Sequence, residues 1–261
     1  MTAPAGMSAG ALSPPVGVIT GGASGIGAAT AVEFARLGAR LALLDISPGG
    51  GEEVEGRVLA AGGQATTIVC DVSDAGAVQA AIASAVAQLG GLDFIVANAG
   101  IAEQSLIATG DPQRWATVVS TNLLGAMNSV RAALPVMRRQ GHGHVLIVAS
   151  VSGREAYIGE PAYIASKWGL VGFAHALRIE AAGYGVRVTV VEPGSVATPL
   201  TMDNPVIRPL MDTIEPLAPE DVARCLVFAY RQPAHAVISE LVIRPLSEPA
   251  NDLPGFADAE A

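Results

Sequence analysis

Apolar residues along this chain fall into short solid runs separated by longer stretches of helical period, and the two alternate from Val16 to Ile243. The runs Val16 to Thr20, Arg40 to Leu44, Ala65 to Cys70, Leu92 to Ala97, His144 to Ser150, Val186 to Val191 and Val237 to Ile243 predict strands. Between them the spacing predicts helices from the turn after Thr20 to about Leu37, and over about Gly51 to Ala61, Ala75 to Leu89, Pro112 to Gln140, Tyr163 to Ala182 and Pro219 to Tyr230. Strands that alternate with helices must run parallel. The expectation is an α/β domain over 16–244, with about seven parallel strands and helices on both faces. Residues 1–15 are rich in Ala, Gly, Ser and Pro, and the segment 245–261 is Pro-rich and acidic, so both are expected to be loose tails. The segment at about 195–218 lacks firm periodicity and is expected to form a lid that touches substrate.

Composition narrows the function classes. Half of the 261 residues are apolar but only 4% are aromatic, which suits a core of Ala, Val, Leu and Ile between layers. A net charge of −9 and a pI near 4.9 argue against nucleic acid or an anionic membrane as partner, since phosphate-rich surfaces require clustered Lys and Arg. No apolar run approaches the roughly 18 residues that span a bilayer. Met1 to Pro15 lacks the basic start and apolar block of a secretory signal, so a cytoplasmic location is expected. Cys70 and Cys225 lack metal-ligand spacing and read as buried thiols, and no metal site is expected.

The turn after the first run reads Gly21-Gly22-Ala23-Ser24-Gly25-Ile26-Gly27. Glycine at 21 permits a tight turn, at 25 lets backbone approach a pyrophosphate, and at 27 lets helix and strand pack closely. The free N–H groups and dipole of the helix start attract the anion. Asp45 ends the second run, where a carboxylate can accept from both ribose hydroxyls of an adenosine; the same charge would repel a 2′-phosphate, and Ser24, Ile46 and Ser47 supply no cation. These residues predict NAD rather than NADP. Asp71, followed by Val72, stands where it can accept from an adenine amino group, although capping by Ser73 or Asp74 explains that turn as well. Asn98-Ala99-Gly100 would leave room for the cofactor backbone, and after the sixth strand Pro193 and Gly194 break the chain so that Val196 and Thr198 can meet a nicotinamide amide.

Ser150, Tyr163 and Lys167 lie in one strand-to-helix passage. Tyr163 and Lys167 are four apart, so a helix sets them on one face with Cβ atoms about 5–6 Å apart. At an effective dielectric of about 20, a cation roughly 5 Å from the phenol oxygen favours phenolate by about 3 kcal/mol, or roughly two pKa units. A second positive charge, such as an oxidised nicotinamide ring, would bring the phenol into range for proton transfer. Asn122 interrupts an apolar helix face; it can bind water, distort the helix or be a satisfied interior amide, and periodicity does not choose among these.

In this order and spacing the motifs resemble a classical short-chain dehydrogenase/reductase over roughly residues 16–243: Thr20 to Gly27 as the glycine motif, Asn98 to Gly100 as Asn-Ala-Gly, and Tyr163 to Lys167 as Tyr-x-x-x-Lys, with Ser150 and Asn122 at the family's serine and asparagine. The resemblance implies a single Rossmann-type doubly wound domain. It makes Tyr163 the general acid or base, Ser150 the polarising hydroxyl, Lys167 the residue that lowers the tyrosine pKa and binds the nicotinamide ribose, and Asn122 the holder of a water in a proton relay. It implies an NAD-dependent alcohol dehydrogenase or ketone reductase working on a small or medium, fairly apolar substrate, and a homodimer or homotetramer. Leu241 to Pro245 replaces the family's glycine pair after the last strand, which puts the usual tetramer contact there in doubt. An NADP-preferring carbonyl reductase and a non-catalytic NAD-binding sensor or scaffold are the alternatives.

Overall fold

The computed structural model describes residues 14–47 and 49–247; the expected tails fall largely outside them, at 1–13 and 248–261. Seven parallel strands form one sheet in the order β3-β2-β1-β4-β5-β6-β7: β1 Val16–Thr20, β2 Arg40–Asp45, β3 Gln64–Val69, β4 Phe94–Ala97, β5 Gly143–Val148, β6 Val186–Pro193 and β7 Glu240–Ile243. The order reverses between β1 and β4, which opens a crevice above the carboxyl ends of those two strands. Burial follows position in the sheet: β1, β4 and β5 are buried throughout, whereas the edge strands β3 and β7 are half covered.

Helices α1 (Gly25–Ala35), α2 (Gly51–Ala60), α3 (Ala75–Leu89), α4 (Pro112–Val119), α5 (Gly125–Gln140), α6 (Pro161–Ala182), α7 (Pro199–Met202), α8 (Arg208–Met211) and α9 (Pro219–Tyr230) complete the chain. Local chemistry sets several boundaries. Asp74 caps α3 by accepting from the amides of Gly76 and Ala77, and Asp111 caps α4 ahead of Pro112; Gly90 and Gly141 end α3 and α5 in left-handed conformation. Two apolar cores fill the faces, one under α3, α5 and α6 and one under α1, α2 and α9. In the second, Phe94 stacks on Phe34 at 4.0 Å between ring centroids, and a Cβ on Gly17 would lie 2.1 Å from the Phe94 ring. Glycine in β1 therefore makes the space for the largest side chain of β4.

Several elements differ from the sequence expectation. The β5 strand ends at Val148 rather than Ser150, and β6 continues past Val191 to Pro193, which still pairs with Ile243, so the chain leaves the sheet only at Gly194. The β4 strand starts at Phe94 because the Gln140 side chain, not a neighbouring strand, takes the amide of Leu92 (3.0 Å) and donates to its carbonyl (2.9 Å). The last strand begins at Glu240 rather than Val237. The long helix expected over 112–140 is split by a π-helical turn, Ser120–Leu124, between α4 and α5. Past β7 Pro245 is buried and Leu246 fully exposed, and Ser247 Oγ accepts from the Glu215 amide at 3.0 Å. Among the described residues no helix is long and apolar enough to cross a membrane.

Candidate active site

Thr20, at the end of β1, organises the turn beneath the crevice. Its Oγ1 accepts from the amides of Asn98 (3.0 Å) and Ala99 (3.1 Å) and donates to Val96 O, while Asn98 Nδ2 donates to the carbonyls of Thr20 (2.9 Å) and Gly21 (3.2 Å). Asn98 thus ties β4 to the glycine turn, a structural role the sequence reading did not foresee. Gly21 has φ +63°, and a Cβ on Gly27 would sit 2.0 Å from Gly21 O, so Gly27 lies under the turn and does not line the crevice. Gly25, at φ +49°, opens α1, and no side chain caps that helix start or places an acid in its first turn. Its first amides are left for a ligand.

Above this turn runs a cleft of about 760 Å³, large enough for a dinucleotide. Gly21, Ser24, Gly25, Ile26, Asp45, Ile46, Asp71, Val72, Asn98, Ala99, Gly100, Tyr163, Lys167 and Thr198, all singled out from sequence, line it. Asp45 is held by the amides of Ala23 and Ser47, each 3.0 Å from one of its two oxygens, so the carboxylate is fixed in place with lone pairs to spare. Asp71 folds into a local turn by accepting from Ser73 N (2.9 Å) and Ser73 Oγ (2.8 Å); the cap of α3 is Asp74, which leaves Asp71 exposed at the cleft wall. Residues not assigned to the site from sequence, among them Ser47, Ser73, Thr117 and Thr121, also line the cleft; Ser47 and Ser73 come from loops, Thr117 from α4 and Thr121 from the π turn.

Tyr163 and Lys167 line the cleft, and Ser150 lines the adjoining cavity that Tyr163 shares. The Ser150 hydroxyl accepts from Ser152 N at 3.1 Å, donates to Pro193 O at 3.5 Å, and acts on the Tyr163 phenol in the direction that favours its ionised form. Lys167 Nζ donates to Val148 O at 3.2 Å and stands 5.4 Å from the Tyr163 ring centroid. Asn122 is buried in the π turn: its Oδ1 accepts from Ile101 N (2.8 Å), and its Nδ2 donates to Ile101 O (2.9 Å) and Ser166 Oγ (3.1 Å). Two of the three options open in the sequence therefore hold together, a local helix distortion and a satisfied interior amide, and the side chain braces the loop after β4 against α6.

The electrostatics correct one expectation. Tyr163 is pushed well above the ordinary phenol range, chiefly by burial and further by the charge of Glu160; only the Ser150 hydrogen bond opposes this. The lysine does not offset the rise, because its ammonium lies over the ring and bonds a carbonyl rather than the phenol oxygen, and burial pulls Lys167 itself down to about 8. Without a further positive charge, proton loss from Tyr163 is unfavourable at neutral pH.

Beyond Tyr163 and Leu200 a second, smaller cavity of about 100 Å³ opens between Ser150 to Ser152, Tyr157, Glu160, Gly194, Ser195 and the lid residues Thr201, Ile207 and Leu210. The expected nicotinamide contacts therefore divide. Thr198 lines the large cleft and Gly194 the small cavity, whereas Pro193 supplies only its carbonyl to Ser150 and Val196 is buried in a bridge with Leu217. The side chain of Val196 is occupied by core packing and faces neither space. Cys70 and Cys225 are both free thiols.

An α/β crevice with a glycine turn and a Ser, Tyr and Lys cluster at the carboxyl edge defines a nicotinamide-dependent oxidoreductase class, and the chain belongs to the short chain dehydrogenase family, whose model matches residues 15–206. It is 37% identical to the glycine betaine reductase ATRR of Emericella nidulans over 92% of its own length but only 19% of that much longer protein. The crystal structure of a levodione reductase superposes with a TM-score of 0.81 at 31% identity, covering 88% of this chain and 96% of that one. A metagenomic short-chain oxidoreductase in complex with NADP superposes at 0.79 and 31% identity, covering 92% and 100%.

Proposed function

We propose that the protein is an NAD-dependent oxidoreductase that interconverts a small secondary alcohol and its ketone. The observation that carries this reading is the place of Tyr163: it lines both the dinucleotide-sized cleft and the smaller cavity, which Ser150 also lines. The uncapped amides of α1 would receive the pyrophosphate, Asp45 the adenosine ribose, Asp71 the adenine amino group and Lys167 the nicotinamide ribose. When bound, the dinucleotide supplies the hydride acceptor or donor and, oxidised, a positive charge beside the phenol. Ser150 and Tyr163 hold the substrate oxygen between them, and Tyr163 takes or returns its proton. Lys167 keeps the buried site cationic while that proton moves.

The preference for NAD rests on Asp45 and on the absence of a compensating cation: among the described residues lining the cleft, Lys167 is the sole Lys or Arg, and it stands at the other end. NADP is the competing reading, favoured by the cofactor named for the metagenomic relative. Purified protein given NAD and a panel of secondary alcohols should form NADH, and Tyr163→Phe should lower turnover by about 10²–10⁴-fold with the fold intact by circular dichroism. Full activity in that variant would remove Tyr163 from the proton transfer.

A further inference from the structure

The small cavity contains one group that alcohol–ketone chemistry alone does not require. Glu160 immediately precedes α6, is 7% exposed, and lines the cavity with Ser150, Tyr157 and Tyr163. Its side chain has one hydrogen-bonding partner among the described residues, the neutral amide of Gln104, whose Nε2 donates to Oε1 at 3.2 Å. The nearby cations are committed elsewhere: Arg154 is paired with Glu192 and Glu240, and Arg244 with Glu155. A carboxylate withdrawn from water and left without a positive partner is unfavourable, and the deficit is relieved when a cation enters the same space.

We propose that Glu160 is a specificity-determining residue that receives a cationic nitrogen of the substrate, so that the preferred substrates are alcohols or ketones bearing an ammonium group near the reacting carbon. The proposal rests on the assignment of Tyr163 as proton-transfer group, because it places the nitrogen a few bonds from the oxygen held by Ser150 and Tyr163. Two further observations favour it. Tyr157 and Tyr163 give the cavity aromatic walls, which suit an ammonium group as well as a carboxylate does. The charge of Glu160 also opposes ionisation of Tyr163, so a cationic substrate would offset that charge in the complex in which the proton must move. The Gln104 amide continues the contact to the lid, since its Oε1 accepts from Asn204 Nδ2 at 2.7 Å and Asn204 Oδ1 accepts from the amides of Val206 (2.9 Å) and Ile207 (3.3 Å). The carboxyl that meets the substrate is thereby connected to the segment that covers it.

The test compares 1-aminopropan-2-ol with butan-2-ol at neutral pH, a pair that differs by an ammonium in place of a methyl group. The wild-type protein with NAD should favour the amino alcohol in kcat/KM, and Glu160→Gln should lower the ratio of the two values by about ten- to a hundredfold. Because the ratio is read, a general loss of folded protein cancels. A wild-type preference for butan-2-ol, or an unchanged ratio in Glu160→Gln, overturns the proposal. Calorimetric titration of 1-aminopropan-2-ol into the NAD complex separates the two readings. Binding that weakens in Glu160→Gln without turnover upholds the amine site and refutes the dehydrogenase assignment. Binding that is absent, or equal in both proteins, refutes the amine site.

Discussion

Acidification should destabilise the fold through one histidine far from the chemistry. His144 lies within β5, fully buried, and its Nε2 is 2.8 Å from Thr189 Oγ1. The Thr189 hydroxyl donates its own proton to Ile238 O at 2.6 Å, so the hydrogen of the pair sits on His144 Nε2, and Nδ1 is left as a buried acceptor without a partner. A proton added at Nδ1 would create a desolvated charge near Arg187; burial first and that guanidinium second pull His144 from 6.5 down to about 3. The unfolded chain therefore binds this proton below about pH 6.5 while the folded one does not, and stability falls with pH between those two values. At about 1.4 kcal/mol per pH unit, moving from roughly pH 7 to pH 5 costs about 2 kcal/mol, and the full window about 4–5 kcal/mol. Urea unfolding across that range measures the loss. Other groups titrate there too, so the informative quantity is the difference from His144→Gln, which retains an N–H for Thr189 but does not ionise. Parallel pH profiles for the two proteins would refute the reasoning.

The remaining predictions concern the cofactor cleft. Gly27→Ala places a Cβ 2.0 Å from Gly21 O and 2.8 Å from Asn98 Nδ2, both held by the Thr20 staple; stability should fall by about 1–3 kcal/mol in urea, and NAD affinity at least tenfold by fluorescence titration. Asp45→Ser removes the charge that would face a 2′-phosphate, so the ratio of kcat/KM for NAD over NADP should drop by about tenfold or more; an unchanged ratio would show that Asp45 does not select the coenzyme.

The strands, the helices and most of the cleft wall were legible because their causes are local: solid apolar runs, a glycine turn, and acids or small residues delivered to one sheet edge. The exceptions share a non-local cause. Nothing around Leu92 announces that Gln140, almost fifty residues on, will take its backbone groups out of the sheet. Spacing set Lys167 beside Tyr163 correctly, but the acidity of the phenol depends on how far water is excluded and on Glu160, neither of which a four-residue interval reports. Glu160 itself carried a faint signal, an acid three residues before Tyr163, but the cavity it faces is closed by residues distant in sequence, Gln104 at its side chain and the lid residues Leu200 to Leu210 across the space. The burial of Val196 was illegible for a related reason, since its bridge with Leu217 needs the lid to return to its own starting point.

The margin of the sheet is joined to the chemistry by ions. Arg154, on the turn that follows Ser150, grips the fully buried Glu192 of β6 through both carboxylate oxygens, at 2.6 and 2.7 Å, and also reaches Glu240 of β7, which His175 of α6 holds from the other side at 2.6 Å. The outermost strand is only four residues long and has a neighbour on one flank alone. Loosening it, by concentrated electrolyte or by a partner that competes for Glu240, would slacken the loop that anchors the serine, so an event at the rim of the molecule would be felt as a change in how the substrate oxygen is gripped.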